Sequence, residues 1–269
     1  MKKILTLITL VCMFTLFSFA GIEWSTKTTT EGRKKGDSRI VTAHVFAQAG
    51  DLKQVFEEVS NADDFRMKDG YWLFKNNAEN IYIVNDQEKS YMEMSLDSLQ
   101  QLTGFIGQLV KIKILDHTID SEKLGSETIA GYKCNHLKLT TDYTMKMKIA
   151  FIKKTIKVHE VKEIWAVPNM KGLNELNKTF LKKDFKTGFP DLDELIKKQM
   201  ETQGEIGFPL KTITHNVQSS KKGKVKSDTT TTMEVTGIKF KKFPKSFFEI
   251  PEDYQKVETK KKKKFGILK

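Results

Sequence analysis

Apolar and polar residues alternate along most of this 269-residue chain, with the period of two that marks half-buried β-strands. Ile22, Trp24, Thr26, Thr28 and Thr30 alternate with polar neighbours, and a turn over 32–37 followed by Ile40–Ala49 makes a hairpin. Over Asp51–Ser60 the pattern changes. Leu52, Val55, Phe56 and Val59 stand at helical spacing and predict a short amphipathic helix. Phe65–Met67, Tyr71–Lys75, Ile81–Val84 and Ser90–Met94 then read as a meander, with turns at Lys68-Asp69-Gly70 and Asn85–Lys89. Ser95 caps a predicted helix whose stripe is Leu96, Leu99, Leu102, Phe105, Ile106 and Leu109.

From Val110 to Val167 the pattern is again that of strands, with turns expected near Ser121–Ser126 and at Ala130-Gly131. A long pair flanks Lys153-Lys154. Met145, Met147, Ile149 and Phe151 alternate with Lys146 and Lys148, then Ile156 and Val158 with Lys157 and His159, predicting one apolar and one cationic face. Two helices are predicted next. Asn169–Phe185 carries Leu173, Leu176 and Phe180, and Asp191–Gln203 carries Leu192, Leu195, Ile196 and Met200, with Asp191 and Glu194 spaced as a capping box. Lys211–Gln218 and Val225–Phe240 close the pattern around a Ser219–Lys224 turn. The fold class is α+β: an antiparallel sheet of about ten strands, a size at which open sheets curl. Its amphipathic helices must cover one face, an arrangement that commonly encloses a cavity.

Residues 1–20 stand apart. Lys2 and Lys3 precede an apolar run from Ile4 to Phe19, and Ser18-Phe19-Ala20 places small residues where signal peptidase reads. The run is shorter than the roughly 20 residues of a spanning helix. A cleaved signal peptide is therefore expected, followed by one domain over 21–257 and a lysine-rich tail over 258–269. The protein is expected in the periplasm or outer envelope, soluble after cleavage. Cleavage removes Cys12 and leaves Cys134 as a lone thiol, expected to be buried.

The net charge is +12, but Lys2, Lys3 and residues 256–269 account for eight of it, so residues 21–255 carry only +4. Only Arg33, Arg39 and Arg66 are arginine. Lysine lacks the planar fork that reads phosphates and bases, so nucleic acid is not expected as a partner. The run Lys260, Lys261, Lys262, Lys263 and Lys264 is a candidate contact for an anionic membrane surface, against the plainer reading of a solubilising tail.

No pattern marks catalysis. The five histidines, His44, His117, His136, His159 and His215, are scattered without metal-ligand spacing, and neither a nucleophile elbow nor a phosphate loop is present. No metal or cofactor is expected. Cys134 and His136 share a strand face and are the closest approach to a nucleophilic pair. Aromatic and methionine side chains on predicted strands are candidates to line an apolar groove: Trp24, Phe46, Trp72, Phe74, Tyr82, Met92, Met94, Met145, Met147, Phe151 and Trp165. Plain core is the competing role for each.

Five stretches in order resemble an uncharacterised, domain-of-unknown-function family of exported bacterial proteins with the LolA-like, lipoprotein-carrier fold. They are Tyr91-Met92-Glu93-Met94, Glu127-Thr128-Ile129-Ala130-Gly131-Tyr132-Lys133-Cys134, Glu163-Ile164-Trp165, Gly207-Phe208-Pro209-Leu210-Lys211 and Phe247-Phe248-Glu249-Ile250-Pro251-Glu252-Asp253-Tyr254. The resemblance implies a strongly curved sheet, a half-barrel with helices over its concave face, and no catalytic residues. By analogy it implies a non-catalytic envelope protein that binds a lipid or other apolar molecule. An interaction or scaffolding protein with a filled core is the alternative, and an enzyme using Cys134 is the reserve. The long Thr144–Glu160 pair and the lysine tail depart from the family pattern.

Overall fold

The computed structural model describes residues 21–32, 38–60, 70–95, 98, 101, 109–170, 173, 187–203 and 206–257. They form β1 (Gly21–Gly32), β2 (Arg39–Gln48), β3 (Asp51–Val59), β4 (Gly70–Lys75), β5 (Asn80–Asn85), β6 (Ser90–Ser95), β7 (Val110–Ile129), β8 (Tyr132–Ile149), β9 (Ile152–Val167), helix α1 (Pro190–Gln203), β10 (Phe208–Ser220), β11 (Val225–Lys241) and β12 (Gln255–Lys256). A 3-10 turn spans Lys245–Phe248. All twelve strands join one sheet in the order β12-β6-β5-β4-β3-β2-β1-β11-β10-β9-β8-β7. Its ends, β12 and β7, do not meet, so the sheet is open. Short β12 runs parallel to β6, and the other neighbours are antiparallel.

Because successive strand residues point to opposite faces, the register sorts the side chains. One face carries Trp24 beside Val45, Leu52 beside Phe74, and Ile164 beside Leu137. Helix α1 lies on this face, where Gln199 donates to Thr141 (3.0 Å). The opposite face of β2–β5 carries Tyr71, Leu73 and Val84, packed with Phe243 and Phe248 from the chain after β11. The sheet is thus clothed by different segments on its two sides.

Two-sided burial explains the main departure from the sequence pattern. Asp51–Val59, predicted as a helix, is strand β3. Leu52 joins the core on the helix-covered face, Val55 packs against the Tyr71–Leu73 cluster on the other, and Phe56 returns to the first face against Trp72. A strand apolar on both sides shows i, i+3, i+4 spacing without being helical. Counting β3 and β12 raises the sheet from the expected ten strands to twelve.

The turn expected near Ser121–Ser126 is instead a register shift between Lys123 and Gly125 inside β7, with Gly125 at φ 104°. A second shift lies between Leu115 and Thr118. Bulges twist this 20-residue edge strand away from a flat, pairing-competent surface. Helix α1 starts where predicted, but its capping box does not form. Thr187 donates from its backbone nitrogen and its hydroxyl to Asp193 Oδ1 (2.8 and 2.7 Å), while Asp191 accepts from the Ile114 amide of the edge strand (3.1 Å). Tertiary contacts with β7 take the carboxylate that would have capped the helix. The pair expected to turn at Lys153-Lys154 turns earlier, at Ala150-Phe151. Phe151 is therefore at an exposed tip and not on an apolar strand face. The signal peptide, the Phe65–Met67 strand, the tail with Lys260–Lys264 and most of the helices predicted over 95–109 and 169–185 lie outside the described residues.

On the aromatic face Lys53 Nζ stands 3.8 Å from the Tyr71 ring centre. Burial, then the nearby Asp86 carboxylate and Tyr254, push the Tyr71 hydroxyl well above its usual range. Burial likewise raises Tyr143 on the other face, helped by Glu160. A tyrosine whose folded pKa is raised adds stability that is intact below the unfolded value of about 10 and is lost as pH rises beyond it. Titrating tyrosine absorbance is expected to show a late, unfolding-linked step for these two. All six ionising in one step near pH 10 would refute it.

Candidate ligand site

A cavity of about 350 Å3 lies between α1 and the sheet. β8, β9 and β10 give its floor, with Leu139, Ile164 and Thr212 pointing up into it. Ile196, Gln199, Met200 and Gln203 of α1 form the roof, and Ile206, Gly207 and Pro209 close one side. The roof is pinned at three points: Asp191 on the Ile114 amide, Gln199 on the Thr141 hydroxyl, and Lys198 Nζ on His117 Nε2 (3.1 Å). Lys198 also pairs with Glu194 (2.8 Å), which holds the Glu194 carboxyl below its usual range through that hydrogen bond.

Two charges interrupt the apolar floor. β9 alternates Ile156, Val158, Glu160, Lys162 and Ile164 on the covered face, and both ionic members line the cavity. Asn216 Nδ2 donates to Glu160 Oε2 (3.0 Å). The Lys162 side chain makes no hydrogen bond or ion pair among the described residues. The residue is half-buried, and its ammonium is free to take an anionic group. The cavity therefore combines apolar walls with a carboxylate and an ammonium carried side by side on β9.

None of the eleven aromatic and methionine positions singled out from sequence lines this cavity. Trp72, Phe74, Met92 and Met94 lie on the same face of the sheet, on β4 and β6, joined to it through the register of β3, β2, β1, β11 and β10. Trp24 is buried there, edge-on to Phe208 at 5.8 Å. Met145 and Met147 share the face farther along β8, paired with Ile114 and Ile112. Phe46, Tyr82 and Trp165 alternate onto the other face. Phe46 packs on Phe243 and Phe247, Tyr82 on Tyr91, and Trp165 stacks on His136 at 4.0 Å and donates to Glu127 (2.8 Å).

Sequence reasoning missed Glu160 and Lys162. The available signal was a pair of charges at positions where the strand alternation demands buried apolar residues. The Cys134–His136 pair does not form a nucleophile. Cys134 is 0% exposed, its thiol donates to the Tyr132 carbonyl (3.5 Å), and burial pushes its pKa up, away from the thiolate. His136 is hydrogen-bonded to Glu163 (2.8 Å). Among the described residues no three His, Cys, Asp or Glu side chains converge as metal ligands. No helix among them is long and apolar enough to cross a membrane.

No curated protein matches the sequence. Solved structures with some similarity to this chain include a DUF1329 family protein from Desulfovibrio piger (8% identity, TM-score 0.29, covering 89% of this chain and 93% of that one). The Mycobacterium tuberculosis lipoprotein LppX is similar at 9% identity and TM-score 0.34, with the same coverages. An outer membrane lipoprotein-sorting protein domain from Vibrio parahaemolyticus follows at 10% identity and TM-score 0.20, covering 85% and 89%. A family model matches residues 49–192 and 191–254. The chain belongs to that family, DUF4412, a domain of unknown function, as the five quoted stretches led one to expect.

Proposed function

We propose that this protein binds a single-chain anionic amphiphile, such as a fatty acid, in the cavity beneath α1, without catalysing a reaction on it. The observation that carries this reading is the size of that cavity. Well-packed cores leave voids little larger than water, whereas 350 Å3 falls within the roughly 300–1,000 Å3 of small-ligand pockets. Leu139, Ile164, Ile196 and Met200 would hold the chain, and Lys162 would pair with the head group. In this reading the sheet is a half-barrel with amphipathic helices over its concave face, and Trp72, Phe74, Met92 and Met94 extend the apolar lining for a longer ligand. Residues 1–20 support a place in the cell envelope.

Native mass spectrometry of the protein from its own envelope, with organic extraction, is expected to recover a bound amphiphile. An anthroyloxy-labelled fatty acid is expected to bind the emptied protein. Lys162→Gln, which removes one charge-assisted hydrogen bond, should weaken it about tenfold, and Ile196→Trp, which fills the space, should weaken it at least as much. A bare mass together with no probe binding would sink the reading.

A further inference from the structure

At the tip of the β8–β9 hairpin, Ile149 and Ile152 face each other across Ala150-Phe151. Phe151 is 91% exposed, Ile152 61% and Ile149 50%. Immediately behind them Lys148 pairs across strands with Lys111 on one side and Lys153 on the other, and Lys146 pairs with Lys113. Like charges set directly opposite destabilise a sheet, yet all five are exposed and none makes an ion pair among the described residues. Ala150 also takes φ 51°, a conformation that favours glycine. A tip that violates several local folding rules at once points to a use outside the fold.

The charge extends past the hairpin. Ser220 pairs opposite Ile156, so the β10–β11 turn, with Lys221, Lys222 and Lys224, emerges at the same end of the sheet. Segments 110–115, 144–157 and 219–227 contain no Asp or Glu. The acids that α1 brings to β7 are already engaged, Asp191 with the Ile114 amide and Glu194 with Lys198. The four residues Ile152–Thr155 carry the hairpin beyond the turn by about 13 Å, at roughly 3.3 Å per residue.

We propose that this three-stranded finger docks the protein on an anionic lipid surface. Phe151, Ile149 and Ile152 enter the boundary between head groups and acyl chains, and the lysines behind them reach the lipid phosphates. The polarity runs along the finger axis, apolar at the leading end and cationic behind, which matches the gradient at a bilayer surface. Nucleic acid offers nothing to leading isoleucines, and the patch contains no arginine. This element is separate from the cavity, so it stands whether or not the cavity binds an amphiphile.

The test is co-sedimentation of the full chain with mixed phosphatidylglycerol–phosphatidylcholine vesicles and with phosphatidylcholine alone, at low and high salt. The anionic vesicles are expected to bind it, more weakly as salt rises. The double variant K111E/K153E should lose at least about a hundredfold in affinity, without a lower Tm, because it relieves both like-charge pairs made by Lys148. The double variant F151S/I152S should lose about tenfold or more by removing the inserted surface. Emission of the F151W chain should shift to the blue on vesicle addition, relative to wild type. Unchanged binding by both double variants, absence of wild-type binding to anionic vesicles, an unshifted emission, or tighter binding to duplex DNA or polyglutamate would each overturn the proposal.

Discussion

Replacing Phe248 by alanine is expected to lower the unfolding free energy by about 3–5 kcal/mol. The ring is only 3% exposed. It stands edge-on to Phe243 and Phe247, with ring centres 5.9 and 5.3 Å away, in a cluster completed by Tyr71, Leu73 and Val84. This segment packs on that face of β2–β5, so truncating the ring leaves a cavity among large aromatic side chains. Polar contacts also hold the segment. Gln48 accepts from the Phe243 amide (2.9 Å) and donates to its carbonyl (3.0 Å), Lys89 pairs with Asp253 (2.7 Å), and Lys256 with Glu93. The ion pairs are exposed, and such pairs contribute about 0–1 kcal/mol each. Urea unfolding should therefore separate the two contributions, with Lys89→Ala costing less than about 1 kcal/mol. A similarly small loss for Phe248→Ala would show that the aromatic cluster does not hold this face.

Gly207→Ala is expected to cost about 3 kcal/mol or more. Gly207 adopts φ 93°, and a Cβ there would lie 2.0 Å from the Val167 carbonyl oxygen and 2.7 Å from Pro168 Cα. Both neighbours are backbone and cannot rotate away. Relief would require prising the start of β10 from the end of β9, where Phe208 pairs with Val167, at the wall of the cavity beneath α1. Gly223 provides the control. It has φ 82° but nothing within 4 Å of its added Cβ, so Gly223→Ala should cost only about 1 kcal/mol of backbone strain. Equal melting temperatures for the two variants would show that the predicted overlap is absorbed without cost.

The sequence was most informative where one physical constraint acts alone. Turns at Asn85–Lys89, Ala130-Gly131 and Ser219–Lys224 are marked by the residues that a reversing chain needs, and each joins strands as expected. Helix Asp191–Gln203 shows because its apolar residues keep to a single stripe, although only Leu195 of that stripe is fully buried and Ile196 and Met200 stay exposed. Strand β3 was misread because it is buried on both sides, which erases the alternation that identifies a half-buried strand. The cavity beneath α1 was illegible for another reason. Its lining comes from β8, β9, β10 and α1, and side chains brought together from distant segments share no local spacing. Only Glu160 and Lys162, charges in apolar register, left a trace.

By itself, the sequence determined a chain of antiparallel strands with a late amphipathic helix, a buried thiol at Cys134 and a family of unknown function, since each rests on local periodicity or residue identity. The tertiary structure alone decided that Asp191 serves the edge strand in place of its own helix, that two faces of one sheet are covered by different segments, and that Lys162 stands unpaired over a cavity. It also set Phe151 at the leading end of a cationic finger, by placing the turn three residues before the one that the lysine pattern suggested. Those features depend on register between strands far apart in the chain, and register is fixed by how whole faces pack, which no window of sequence contains.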